Sequence, residues 1–94
     1  MEYEWDEAKA AANFAKYQLQ AAARALEDDP RKIEVPDDRF DYDEERIRSL
    51  CMDRGKVLFV VTIMPDENIC RIISARKATR HEQEQYFQGG PLFS

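Results

Sequence analysis

Hydrophobic positions in this chain change period partway along. Ala8, Ala11, Ala12 and Ala15, with Phe14 adjoining, recur three and four apart, the repeat of one helical face. Asp6 stands ahead of them with an oxygen able to accept free N–H groups, so the pattern predicts a helix from Asp6 to Tyr17. A second helix is predicted from about Gln20 to Glu27, stopped by Asp28-Asp29-Pro30, because a proline has no N–H and disfavours helical backbone before it. After a short strand near Lys32–Val35 and an exposed acidic loop, the period becomes two. Arg46–Met52 alternates polar and apolar residues, Val57–Met64 is almost entirely apolar and reads as a central strand covered on both faces, and Ile69–Ala75 follows.

The links Asp53-Arg54-Gly55-Lys56 and Pro65-Asp66-Glu67-Asn68 have turn chemistry and are short enough to favour an antiparallel meander. Thr79-Arg80-His81-Glu82 spells a capping box, which predicts a C-terminal helix from Arg80 to about Phe87, ending before Gly89-Gly90-Pro91. The element order is therefore helix, helix, three or four strands, helix, an α+β domain over residues 1–88 with a short tail at 89–94.

Composition narrows the picture. Ninety-four residues, 44% hydrophobic and 35% charged, suit one small core under a charged surface and exclude disordered or collagen-like chains. No apolar run nears the ~20 residues of a membrane span, and the acidic start Met1–Glu7 is unlike a signal peptide, so a cytoplasmic protein without membrane contact is expected. Cys51 and Cys70 fall on strands separated by a third, ~10 Å apart and out of disulfide reach. One histidine and no Cys-x-x-Cys pair argue against a metal site, and no cofactor fingerprint is present. Asp37–Asp43 lacks the central glycine and closing glutamate of a calcium loop.

The net charge of −5 conceals a segregation. Glu27–Glu45 holds ten acids against three bases, whereas Arg71–Arg80 holds four bases and no acid. Arg71, Arg76, Lys77, Arg80 and His81 fall where a strand ends and a helix begins, a place that favours an anion through both side chains and free N–H groups. In a regular strand Arg71 and Ile73 share one face and Ile72 and Ser74 the other, leaving Arg71 on an open face or paired with a carboxylate such as Glu45. Metal-free RNA cleavage needs a proton acceptor, a proton donor and cations around the phosphorus. The basic run supplies cations and His81 an imidazole, while phosphate loops, nucleophile elbows and His-Glu-x-x-His are missing.

Trp5-Asp6-x-x-Lys9 with Asn13 and Lys16, Asp29-Pro30, Glu45-Arg46, and above all Arg71-Ile72-Ile73-Ser74-Ala75-Arg76-Lys77-Ala78 with Glu82 and Tyr86 resemble the BrnT family of type II toxin–antitoxin toxins. The resemblance covers about residues 1–87. It implies a RelE-like fold, with helices on a small curved antiparallel sheet, and a metal-independent ribonuclease that inhibits translation. It also implies a BrnA-like ribbon-helix-helix antitoxin as partner, with DNA reached only through that complex. Carried over residue by residue, Arg46, Arg71, Arg76, Lys77, Arg80 and Lys16 become the RNA-binding candidates, and His81 or Tyr17 the proton carrier beside Arg76 and Arg80. Where the family commonly reads Lys-His-Gly, this chain has Lys16-Tyr17-Gln18. The alternative is a catalytically weak or inactive interaction module for an antitoxin or regulator. Apolar strand edges leave pairing with a second copy open.

Overall fold

A computed structural model of the chain describes residues 1–37 and 44–89. Its elements are β1 (Glu2–Glu4), α1 (Asn13–Asp28), β2 (Ile33–Pro36), β3 (Ile47–Asp53), β4 (Lys56–Asp66), β5 (Ile69–Lys77) and α2 (Arg80–Gln88). The five strands form one sheet in the order β1-β5-β4-β3-β2. β4 is its central strand, and Val57 to Thr62 are all buried, as an uninterrupted apolar run requires.

β2 to β5 form the expected antiparallel meander, but the sheet as a whole is mixed, because β1 lies parallel to β5 with Tyr3 opposite Cys70. Three residues are too few to show a strand period. β1 is held from outside: the Tyr3 hydroxyl donates to Glu27 at 2.7 Å and Arg71 Nε to Glu4 at 2.7 Å. The parallel pairing is possible because α1 and β2 to β4 lie between the two strands in sequence.

The two expected N-terminal helices are one. Nothing between Tyr17 and Gln20 breaks a helix, since Gln18 and Leu19 are good helix formers, so α1 runs unbroken from Asn13 to Asp28. It also starts seven residues later than Asp6. The Asp6 carboxylate accepts the Ala8 N–H and its carbonyl accepts from Lys9 and Ala10, closing a single turn that does not propagate. That turn puts Ala10 into the core, and the chain then extends at Ala12 before α1 begins.

Each face of the sheet carries its own apolar layer. Leu19, Ala22, Ala25 and Leu26 of α1 pack on Cys51, Leu58, Val60, Cys70 and Ile72. The small alanines let the helix axis come close, with Ala22 fully buried. On the other face Tyr86 of α2 and Ala78 pack on Leu50, Val57, Phe59 and Val61. Cys51 and Cys70 are buried free thiols, with β4 between their strands. Arg54 and Gly55 both take positive φ, 51° and 81°, the backbone of a two-residue hairpin turn whose twist matches the strands.

Asp29, just past α1, joins three elements. Its carboxylate accepts the Tyr86 hydroxyl at 2.7 Å, the Met52 N–H at 2.8 Å and the Arg31 N–H at 2.9 Å. The expected exposed acidic loop is corrected at its first member: Asp37 is buried, 3.7 Å from the Arg48 guanidinium. Its remainder at 38–43 and the tail at 90–94 lie outside the described residues.

Two irregularities shape the sheet. Between Ile63 and Asp66, β4 has one residue more than β5 opposite it, and Pro65, which cannot donate to a ladder, falls in that bulge. Between Val61 and Thr62 the extra residue is on β5: Val61 faces Ser74 and Thr62 faces Ile72, so Ile73 has no partner of its own.

Candidate functional site

The bulge at Ile73 decides which arginines meet. Arg71 and Arg76 are five residues apart, an odd number, and a regular strand would send them to opposite faces. With Ile73 unpaired, the alternation resets. Arg71 lies opposite Ile63 and Arg76 opposite Phe59, alternate positions of β4 and hence one face, the face that carries α2. The expectation that Ser74 lies on the face away from Arg71 is corrected by the same bulge: Ser74 opposes Val61 and lies between the two arginines.

Arg76 is the most constrained of these side chains. Its guanidinium lies 4.2 Å from the centroid of the Phe59 ring. Nη1 and Nη2 bond Glu82 Oε1 and Oε2 at 2.8 and 3.0 Å, and Nη1 also reaches the Lys77 carbonyl at 3.2 Å. The end of the fork is thus occupied, while Nε–H and the outer Nη2–H are left for a second oxyanion on the side edge. Phe59 below and Glu82 in front fix the plane of that edge.

Glu82 is placed by the capping box. Thr79 Oγ1 accepts the Glu82 N–H at 3.2 Å, and Glu82 Oε1 accepts the Thr79 N–H at 2.8 Å. One carboxylate therefore both caps α2 and holds Arg76. The free N–H groups of Arg80 and His81 open beside it, in the first turn of α2. Burial alone pushes the Glu82 carboxyl up, but the bonds from Arg76 and Thr79 outweigh it and hold the group below its ordinary value of 4.5. A lowered pKa in the folded state contributes stability above the ordinary value and loses it as pH falls through the folded one. Glu82→Gln is expected to cost about 1 kcal/mol at neutral pH. In urea titrations the cost should shrink as the solution is acidified below 4.5, where the wild-type carboxyl also becomes neutral.

The other candidates distribute over both faces. Arg71 is exposed and paired with Glu4, not with Glu45. Arg80 is 95% exposed, its Nε 3.6 Å from Glu84, and His81 follows it at the surface. Arg46, just before β3, bonds Glu44 through Nε and Nη2 at 3.3 and 3.2 Å. Lys77 lies opposite Leu58, on the α1 side of the sheet. Lys16 and Tyr17 project from α1 into solvent, so they too are on that side, away from Arg71 and Arg76. Sequence reading missed Arg48, which stands opposite Val61 on the arginine face. The Arg46-Ile47-Arg48 alternation carried the signal that Arg48 shares a face with Arg46. It also missed that Glu82 reaches Arg76. Among the described residues no group of three His, Cys, Asp or Glu is placed to hold a metal ion, and no helix is long and apolar enough to cross a membrane.

Arg71 and Arg76 thus share one sheet face beside the N-terminus of α2, each facing a carboxylate. A family model described as the ribonuclease toxin BrnT of type II toxin–antitoxin systems matches residues 5–82, and the chain belongs to that family. Comparison with curated proteins gave no match, and comparison with solved structures gave none either. Membership makes the chain a toxin of the ribonuclease class and implies an antitoxin partner.

Proposed function

We propose that the protein cleaves RNA without a metal ion, so halting translation in the cytoplasm, until a BrnA-like ribbon-helix-helix antitoxin covers it. The observation that carries this reading is the Arg76 guanidinium, locked by Glu82 and Phe59 with one edge open, beside the free N–H groups of α2. Arg76, Arg80 and Arg71 hold the scissile phosphate. The RNA 2′-oxygen attacks phosphorus and the bond to the 5′-oxygen breaks, leaving a cyclic phosphate and a free 5′-hydroxyl. His81 takes the 2′-hydroxyl proton, and the leaving oxygen is protonated from solvent. Arg46 extends the basic track on the arginine side, whereas Lys16, Tyr17 and Lys77 flank the RNA on the α1 side.

A second reading, a non-catalytic partner for the antitoxin, is favoured by the carboxylates of Glu4, Glu82 and Glu84 that already face Arg71, Arg76 and Arg80. Induction of the chain alone in a bacterial host separates the two. Growth arrest relieved by co-expressed antitoxin, together with cleavage of RNA by the purified protein in excess chelator, is expected. Normal growth with well-folded, abundant protein would instead support the binding module.

A further inference from the structure

On the α1 side, β1 covers the outer edge of β5 only from Ile69 to Arg71, and no other described residue pairs with that edge beyond it. There, between the Asp6 turn, α1 and β5, lies a cavity of about 220 Å³. Trp5, Leu19 and Ile72 supply apolar walls, Asp6, Lys9 and Gln18 supply polar side chains, and β5 contributes its backbone at Ser74. It is built where the Trp5-Asp6 stretch meets the Ile72–Ala75 part of the basic run.

We infer that this cavity holds one nucleobase of the RNA, next to the phosphate bound by Arg76. An aromatic ring, aliphatic walls and a few hydrogen-bonding groups suit a planar polar heterocycle, which stacks on one side and presents an edge of donors and acceptors. The Gln18 amide offers one donor group and one acceptor, Asp6 an acceptor and Lys9 a charged donor. A phosphate alone would leave the walls of Leu19 and Ile72 without contact. Ser74 is at the cavity and Arg76 is two residues further along the same strand, about 7 Å away. The uncovered edge of β5 gives the sugar–phosphate chain a way from the cavity to the arginine face. The inference rests on the RNA-cleaving reading and adds to it a base preference beside the cut.

Trp5 is the only tryptophan of the chain, so its fluorescence reports the cavity directly. The experiment titrates the full-length protein with adenosine, guanosine, cytidine, uridine and inorganic phosphate. Saturable quenching by at least one nucleoside, with roughly millimolar affinity, and none by phosphate is expected. Gln18→Leu, checked for folding by circular dichroism, should weaken the preferred nucleoside roughly tenfold. The Arg76→Ala, Arg80→Ala double variant should bind it unchanged. No saturable quenching by any nucleoside, or quenching indifferent to Gln18→Leu, overturns the inference, as does a cavity that only the antitoxin occupies. Nucleoside binding without RNA cleavage keeps the pocket and removes the nuclease. Cleavage without nucleoside binding does the reverse.

Discussion

Arg76→Ala is expected to lower RNA cleavage by about a hundred- to a thousandfold, chiefly in kcat. The side-edge N–H pair is fixed before substrate arrives, so it stabilises charge that develops on the phosphoryl oxygens at no cost of reorganisation. A truncated side chain also leaves the Glu82 carboxylate, 13% exposed, without its countercharge beside the incoming phosphate. Two controls separate these effects. Arg76→Lys keeps the charge and loses the fork, and should recover only part of the rate because an ammonium is not bidentate. Arg76→Ala combined with Glu82→Gln removes the repulsion, so any rate it regains measures what the stranded carboxylate cost. Single-turnover cleavage of a short RNA reads all of them, and wild-type activity in Arg76→Ala would remove Arg76 from the mechanism.

The largest effect on stability is expected from Asp29→Ala, about 3 kcal/mol, or roughly 10–20 °C in thermal midpoint. The loss follows from the three hydrogen bonds that end on one charged group, two of them from β3 and α2. Without it the Met52 N–H and the Tyr86 hydroxyl are left in partly buried positions with no acceptor. The Tyr86 phenol gives an independent readout. Burial, and then its bond to Asp29, pushes it from 10.0 up to about 12. A folded pKa above the unfolded one means a contribution fully present below pH 10.0 and lost as the pH rises toward 12. In Asp29→Ala burial still acts but the carboxylate does not, so ultraviolet titration should find the Tyr86 step lower than in the wild type. An unchanged step together with an unchanged midpoint would show that the carboxylate ties nothing together.

Much of this architecture is written locally. The alternation in β3, the continuous apolar run of β4, the Arg54-Gly55 turn and the Thr79–Glu82 box are each decided by neighbours within a few residues, and each reads correctly from the sequence. What escaped depends on distant partners. β1 is a strand because β5, more than sixty residues away, gives Tyr3 and Glu4 something to pair with. The Asp6 turn stops after one turn even though its capping chemistry suits a longer helix. The candidate site shows the same division. The basic run was visible as composition, and its face was not, because parity along β5 depends on a bulge set by the pairing with β4. Glu82 was recognised as a cap, but its grip on Arg76 spans the junction between strand and helix, where neither period applies.

That unpaired residue on β5 also makes the basic run unequal in the changes of length it can absorb. Deleting one residue between Ile72 and Ala75 would let the ladder close without the bulge and leave Arg71 and Arg76 on their present face. Inserting one would keep Arg76 opposite Phe59 only through a second unpaired residue; with the single bulge retained it would turn Arg76 toward α1 and break its hold on Glu82. The segment is tolerant of loss and intolerant of gain, an asymmetry that a library of single-residue insertions and deletions would expose.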